Sequence, residues 1–516
     1  MRALLLLLPA LLLACGEGDL GNASASSSGA GASGSASGGG GPGAGGNGGG
    51  GSGGVPPEPV PGLRAEYFSS YLDLVVERVE PTLDVVWGAA EPVAGVGPDR
   101  FSARWLGTLR APAAGTYQLI TENDDGVRVW VDDVLVIDDW VGHFVQRSEV
   151  TVELPAAEVP LRIEYFEIDL DAQLRLLWSS AELAEAPIPE SALQTVDVPS
   201  GLPGPKPPYL NPVMLGCADP GVVAVPEGGE TVYRAACTGG AFPIHGSRSL
   251  VFWADTGAKI LPAGKPDWAA NGGRNWAPEI HRVGSELVAY FTSVNGGNVL
   301  SIGAAHAPDA AGPWVDIGGP LVQHPQGVID ATFFEDADGS RWLVYKIDGN
   351  SVGDPTPIYA RRLADDGLSF APGSDQVELI RNDGGSWEGG VVEAPWVLLR
   401  DGQYFLIYSG NVYDHRYRTG VARAPSLLGP YEKHGAPILG NNERWVGPGH
   451  GSVVVVGGVD WFVYHAWSNN GAGKHLESAG RQMLIDRIDW VDGWPVIHDG
   501  TPSRSAQPWP GTTPPR

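Results

Sequence analysis

Three acidic residues lie far apart in this chain, yet each follows the same local rule. Asp219 (in GCADPGVV), Asp330 (in VIDATFF) and Glu393 (in VVEAPWV) each stand 9 or 10 residues ahead of a glycine that opens an apolar, strand-like stretch. They are followed by Pro, Ala-Thr and Ala-Pro rather than by further charge. A carboxylate inside a run such as GGVVEAPWVLL is costly to bury unless it is paired or faces a polar cavity. If the three converge, their mutual repulsion raises at least one pKa, as a general acid near neutral pH requires. Two carboxylates flanking a glycosidic bond, one acid and one base, are the minimal machinery for hydrolysing it. An isolated Asp or Glu near a strand start commonly serves a turn, but three at one repeat position argue against that reading.

The elements that must position them form a repeat. Five stretches share a glycine turn leading into a strand: GETVYRAACTG from Gly229, GSELVAYFTSV from Gly284, GSRWLVYKIDG from Gly339, GQYFLIYSGN from Gly402 and GVDWFVYHAWS from Gly458. Their spacings are 55, 55, 63 and 56 residues, and in the last four a Tyr falls six positions after the Gly (Tyr290, Tyr345, Tyr408, Tyr464). A unit of this length holding several short strands fits one blade of a β-propeller, so five units predict a five-bladed ring over residues 205–510. Counting back 8 to 10 residues from each glycine reaches Asp219, Trp276, Asp330, Glu393 and His450. All five are expected to begin the innermost strands and to converge on one funnel.

In order along the chain, ADP around Asp219, NWAPE around Trp276, IDATFFEDADG around Asp330, WEGGVVEAPW around Glu393, GPGHGSVV around His450 and GRQMLIDRIDWVDGWP near the end resemble glycoside hydrolase family 43. The resemblance implies cleavage with inversion. It assigns Asp219 as the base that activates water, Glu393 as the acid that protonates the leaving oxygen, and Asp330 as the carboxylate that tunes and orients that acid. Blades 1 and 4 of a five-membered ring are not adjacent, which leaves room for a water between base and sugar. His450 would bind a central cation or water through a neutral imidazole nitrogen, or be a structural histidine. Trp276 would wall a sugar face or sit in the core. Arg481 would hydrogen-bond substrate hydroxyls or hold a structural ion pair. Glu388, in the turn SWEGG, is a rival acid, and Glu279 of NWAPE is read as serving the fold. A five-bladed family acting on fructans usually carries an Asn-Asp-Pro-Asn-Gly stretch, whereas this chain reads Cys217-Ala218-Asp219-Pro220-Gly221.

Residues 55–195 read as a second all-β unit, with short alternating strands between Gly, Pro and Asp turns. GLRAEYF, FSARWLGTLRAP, GTYQLITENDDGVRVWVDDVLVIDDW, LRIEYFE and IPESAL resemble the protective-antigen (PA-fourteen) β-sandwich domain. Some such domains bind sugars through a calcium held by adjacent aspartates, which places Asp124 and Asp125 as candidate calcium ligands; Asp-Asp-Gly is equally an ordinary turn. No cofactor is required for the chemistry.

The start, MRALLLLLPALLLACGEG, has the layout of a secretory leader, and Leu12-Leu13-Ala14-Cys15 resembles a bacterial lipobox with Cys15 as the lipidated residue. Residues 1–21 are therefore read as leader and lipidation site, and 22–54, rich in Gly and Ser, as a flexible tether. Cys217 and Cys237 are left as a possible disulfide in an oxidising compartment. A formal charge of −27 argues against nucleic acid as a partner and suits an exported monomer meeting a neutral polymer, with a lipid anchor its sole membrane contact. The expected substrate is an arabinose- or xylose-containing plant polysaccharide; a non-catalytic sugar-binding surface protein is the alternative.

Overall fold

Seven antiparallel sheets account for nearly all regular structure in the computed structural model, which describes residues 59–197 and 202–511. Cys15, the leader and the Gly/Ser tether lie outside the described residues. No α-helix occurs among the described residues, so none is long and apolar enough to cross a membrane.

The first two sheets form the sandwich. One is ordered Asp73–Glu80, Leu63–Ser69, Phe101–Arg110, Glu158–Glu167, Gly126–Val131 and Val134–Asp139; the other is built around Gly115–Asp124 and Ala172–Ser180. Alternation explains the packing. Leu63, Ala65 and Tyr67 turn inward from the first strand and meet Leu119, Leu174 and Leu176 of the facing sheet in one apolar cluster. Leu193–Gln194 pairs back onto Phe101–Arg110 and closes the domain.

The other five sheets each run four strands in sequence order, one blade per repeat, and the second blade adds a short fifth strand, Val322–Gln323. Their innermost strands are Gly221–Glu227, Ala269–Val283, Val328–Glu335, Val392–Arg400 and Trp445–Val456. Each contacts the next, and the last contacts the first, so the ring is closed. The N-terminal segment helps to close it: Met214 bridges Met483 in blade 5, and Tyr209 pairs with Gln507. The four repeat tyrosines are buried to 1 % or less, and each hydroxyl finds an acceptor: Gly367 O, Gln376, Glu388 and Asp486 respectively. That requirement explains Tyr at a position where an apolar ring alone would pack. Cys217 and Cys237 are joined by a disulfide across the entry to blade 1.

Candidate active site

A ring of five left-handed residues organises the funnel. Asp219, Ala277, Asp330, Ala394 and His450 have φ of 52°, 44°, 57°, 55° and 46°. Four of them interrupt a strand ladder with a register shift. A non-glycine residue there costs roughly 1–3 kcal/mol and persists only where its surroundings hold it. Here the hold is visible. The N–H of Ala277 donates to Thr238 Oγ1 (2.8 Å), that of Asp330 to Thr292 Oγ1 (3.3 Å), that of His450 to Ser409 Oγ (2.9 Å) and that of Asp219 to His465 Nδ1 (3.2 Å), always across to the preceding blade. In blade 3 the corresponding position is Lys346, and there Ala394 N–H donates to Asp330 Oδ2 instead (3.1 Å).

This geometry corrects the expected alignment. Trp276 and Glu393 stand one residue ahead of the left-handed position, Asp219 precedes its strand, and Trp276 and His450 lie inside theirs. The bulges shift the register, which a count from the glycine cannot detect.

Asp219, Trp276, Asp330, Glu393, His450 and Arg481 nevertheless line one cavity of about 290 Å³. Asp219 Oδ1 accepts from Arg481 Nη1 (2.6 Å) and lies 3.1 Å from His450 Nδ1, while its Oδ2 accepts from Thr238 Oγ1 (2.6 Å). The same His450 nitrogen is 4.0 Å from Asp330 Oδ2. Glu393 accepts at both oxygens, from Lys346 Nζ at Oε2 (2.8 Å) and from Tyr417 Oη at Oε1 (2.8 Å). Lys346 is wholly buried and also bonds Asp348 Oδ1 (3.0 Å).

Burial pushes every carboxylate here upward, and the neighbouring charges then separate them. For Asp219 the Arg481 guanidinium and His450 outweigh burial and hold the carboxyl well below its usual range. For Asp330 burial prevails, with Glu393 and Asp219 adding to it against His450 and Lys346, and the group rises to about 7. For Glu393 burial is overcome by Lys346 and the Tyr417 hydrogen bond, so it is lowered. The carboxyl raised by convergence is thus Asp330 rather than Glu393, because a buried ammonium sits on Glu393.

Two further residues stand on the same wall. Burial alone would depress His450, but Asp219 and Asp330 raise it to about 9, and its Nδ1 lies 3.1 Å from Asp219 Oδ1. Arg481 makes the ion pair with Asp219 at the pocket wall. Glu388 is buried away from the cavity and held by Tyr408, Lys433 and the Asp383 N–H, and Glu279 bonds His281. Lys346, Tyr417 and His465 escaped the sequence reading, although a signal existed: Lys346, Ser409 and His465 each directly follow a repeat tyrosine.

In the sandwich, Asp124 and Asp125 are joined by Glu167, the last residue of LRIEYFE. One ligand atom from each lies within 4.8 Å of the others. Asp125 is oriented by the N–H groups of His143 and Ile168 (2.7 Å each), and Glu167 Oε2 accepts from Tyr165 Oη (2.9 Å). Glu167 Oε1 and Asn123 Oδ1 are buried without a hydrogen-bond partner. Burial, then the Asp125 charge, raises Glu167 to about 9. Hard oxygen donors with an unsatisfied carboxylate oxygen fit a Ca²⁺ ion.

A five-bladed propeller with three carboxylates on one axial pocket defines a carbohydrate-cleaving class of protein. Glycosyl hydrolases family 43 matches residues 209–495, more than half of the chain, and the PA14 domain matches 59–192. The chain belongs to glycosyl hydrolases family 43 and is a glycosidase. An extracellular exo-alpha-(1->5)-L-arabinofuranosidase of Streptomyces chartreusis is 28% identical over 278 residues, covering 50% of this chain and 82% of that protein. A solved thermostable family-43 glycoside hydrolase superposes with a TM-score of 0.51 at 29% identity, covering 59% of this chain and all of that one. An anti-sigma-I factor of Acetivibrio thermocellus is 34% identical over 141 residues, 27% of this chain, and the chain spans only 22% of that protein's length.

Proposed function

We propose that the protein is an exported, inverting glycosidase acting on arabinose- or xylose-containing plant polysaccharide. The single observation that carries the chemistry is the meeting of Asp219, Asp330 and Glu393, from three blades, on one cavity. Asp219, kept ionised by Arg481 and His450, is the base that takes a proton from the attacking water. Asp330 and Glu393 form a coupled acid pair whose proton Glu393 delivers to the leaving oxygen. The sugar class rests on the arabinofuranosidase relative. Export is supported by the Cys217–Cys237 disulfide and by the extracellular relative, and Cys15 is proposed as a lipid anchor. The sandwich is proposed as a carbohydrate-binding module whose Asp124, Asp125 and Glu167 hold calcium.

The test is incubation of the purified chain with aryl arabinofuranoside, aryl xyloside and debranched arabinan. Release of sugar from at least one, lost in Glu393→Gln, supports the reading. No release from any, with the variant behaving like the parent, sinks it.

A further inference from the structure

Beside the catalytic cavity, two histidines from different blades meet. His415 lies in the loop between Gln403–Gly410 and Arg418–Ala424 of blade 4, and His475 in the loop between Val459–Ser468 and Arg481–Val491 of blade 5. Both loops reach the cavity wall, the first through Tyr413 and the second by running into Arg481.

The Nδ1 atoms of His415 and His475 are 3.4 Å apart, with ring centroids at 5.6 Å and planes 20° apart. That separation is at the long end of the hydrogen-bond range. It matches the bite of a tetrahedral zinc: two imidazole nitrogens each about 2.0–2.1 Å from the metal stand about 3.4 Å apart. A second observation sets the tautomer. Glu477 Oε1 lies 2.6 Å from His475 Nε2, so that nitrogen donates its proton to the carboxylate and Nδ1 keeps a free lone pair. Carboxylate, imidazole and open nitrogen in this order are the usual support behind a metal-ligating histidine.

Asp414, whose Oδ1 is 3.7 Å from His415 Nδ1, is engaged by Arg416, whose backbone N–H and guanidinium donate to its carboxylate. The two imidazoles are 29 % and 20 % exposed, which leaves room for water in the remaining positions. Both loops are already braced. Asn441 Nδ2 and Arg418 Nη1 donate to the His415 carbonyl, His475 forms a bridge with Asn469, and Trp467 Nε1, at the end of the blade-5 strand, donates to Tyr413 O of the blade-4 loop.

We infer that His415 and His475 form a two-histidine site for a borderline divalent transition cation, Zn²⁺ or Cu²⁺, completed by water. Imidazole nitrogens select such ions over Ca²⁺, which separates this site from the all-oxygen cluster of the sandwich. A bound ion staples the blade-4 and blade-5 loops beside the sugar cavity.

The test uses the full chain, stripped of metal and held in millimolar CaCl₂ so that the oxygen site is filled, and titrated with ZnCl₂ by calorimetry. Zinc binding is expected in the parent, weakened at least tenfold in His415→Ala and in His475→Ala. Glu477→Gln, a change at a side chain 79 % exposed that leaves folding untouched, is expected to weaken it roughly 10- to 100-fold. Electron paramagnetic resonance of the Cu²⁺ form is expected to show two coupled nitrogens in the parent and one in either histidine variant. Zinc affinity unchanged in both histidine variants, or no zinc binding by the parent at millimolar concentration, overturns the inference.

Discussion

Lys346, wholly buried in the pocket wall, places its Nζ 2.8 Å from Glu393 Oε2. It occupies the one ring position where the other blades place Thr238, Thr292, Ser409 or His465 to hold the next blade's backbone. Exchanging that brace for a cation lowers the Glu393 carboxyl, while burial pushes Asp330 up. Lys346→Met removes the charge that lowers Glu393, so the Glu393 pKa rises and its protonated form persists to higher pH. The alkaline limb of the kcat/KM profile is expected to move to higher pH. An unmoved limb with only a lower plateau means that Lys346 is merely structural.

Asp219 and Glu393 should separate by leaving group. Asp219→Asn is expected to cost about 10²–10⁴-fold in kcat on every substrate, since the water always needs its base. Glu393→Gln should cost as much on a polysaccharide but far less on a nitrophenyl glycoside, whose leaving group needs no proton. Equal losses of both variants on both substrates contradict the assignment. Proton NMR of the first product should show the inverted anomer.

The disulfide staples Asp219, the proposed base, to its support. Cys217 is two residues before Asp219 and Cys237 one residue before Thr238, whose hydroxyl donates to Asp219 Oδ2. Cys217→Ser with Cys237→Ser opens a 20-residue separation and is expected to cost about 3 kcal/mol of stability. Below the lowered melting point kcat should also fall, with KM little changed. Parent-like melting and kcat would dismiss the staple.

His450 makes stability depend on pH. Its folded pKa of about 9 exceeds the ordinary 6.5, so the native state binds more protons across that window. Its contribution is complete below pH 6.5 and is lost as pH rises through about 9. The melting temperature should therefore drop between pH 6.5 and 9.5, and the drop should shrink in His450→Gln. An identical slope in the variant assigns the effect to other groups.

Calcium should stabilise the chain through the sandwich. At 100 times its dissociation constant a ligand adds about 2.7 kcal/mol. Millimolar CaCl₂ is expected to raise the melting temperature by several degrees, and Asp125→Asn or Glu167→Gln to abolish the rise. A rise preserved in both variants places the ion elsewhere.

Much of this protein was legible in its residues. The glycine–tyrosine repeat carries the blade count because each hairpin needs its turn and each interblade tyrosine needs an acceptor. Asp219, Asp330 and Glu393 were recognisable because charge in an apolar strand demands a reason. The sandwich strands and Asp124-Asp125 were equally plain, but Glu167 was hidden, since nothing local marks a glutamate that folding buries beside two aspartates.

The sequence alone determined periodicity, strand content and which acids stand in apolar surroundings, because these depend on neighbours a few positions away. Only the tertiary structure decided which carboxyl is pushed up and which down, that His450 is raised, and that Arg481 pairs with Asp219. Those outcomes depend on charges brought within 4 Å by ring closure from residues up to 262 positions apart, and electrostatic energy follows distance through space rather than along the chain.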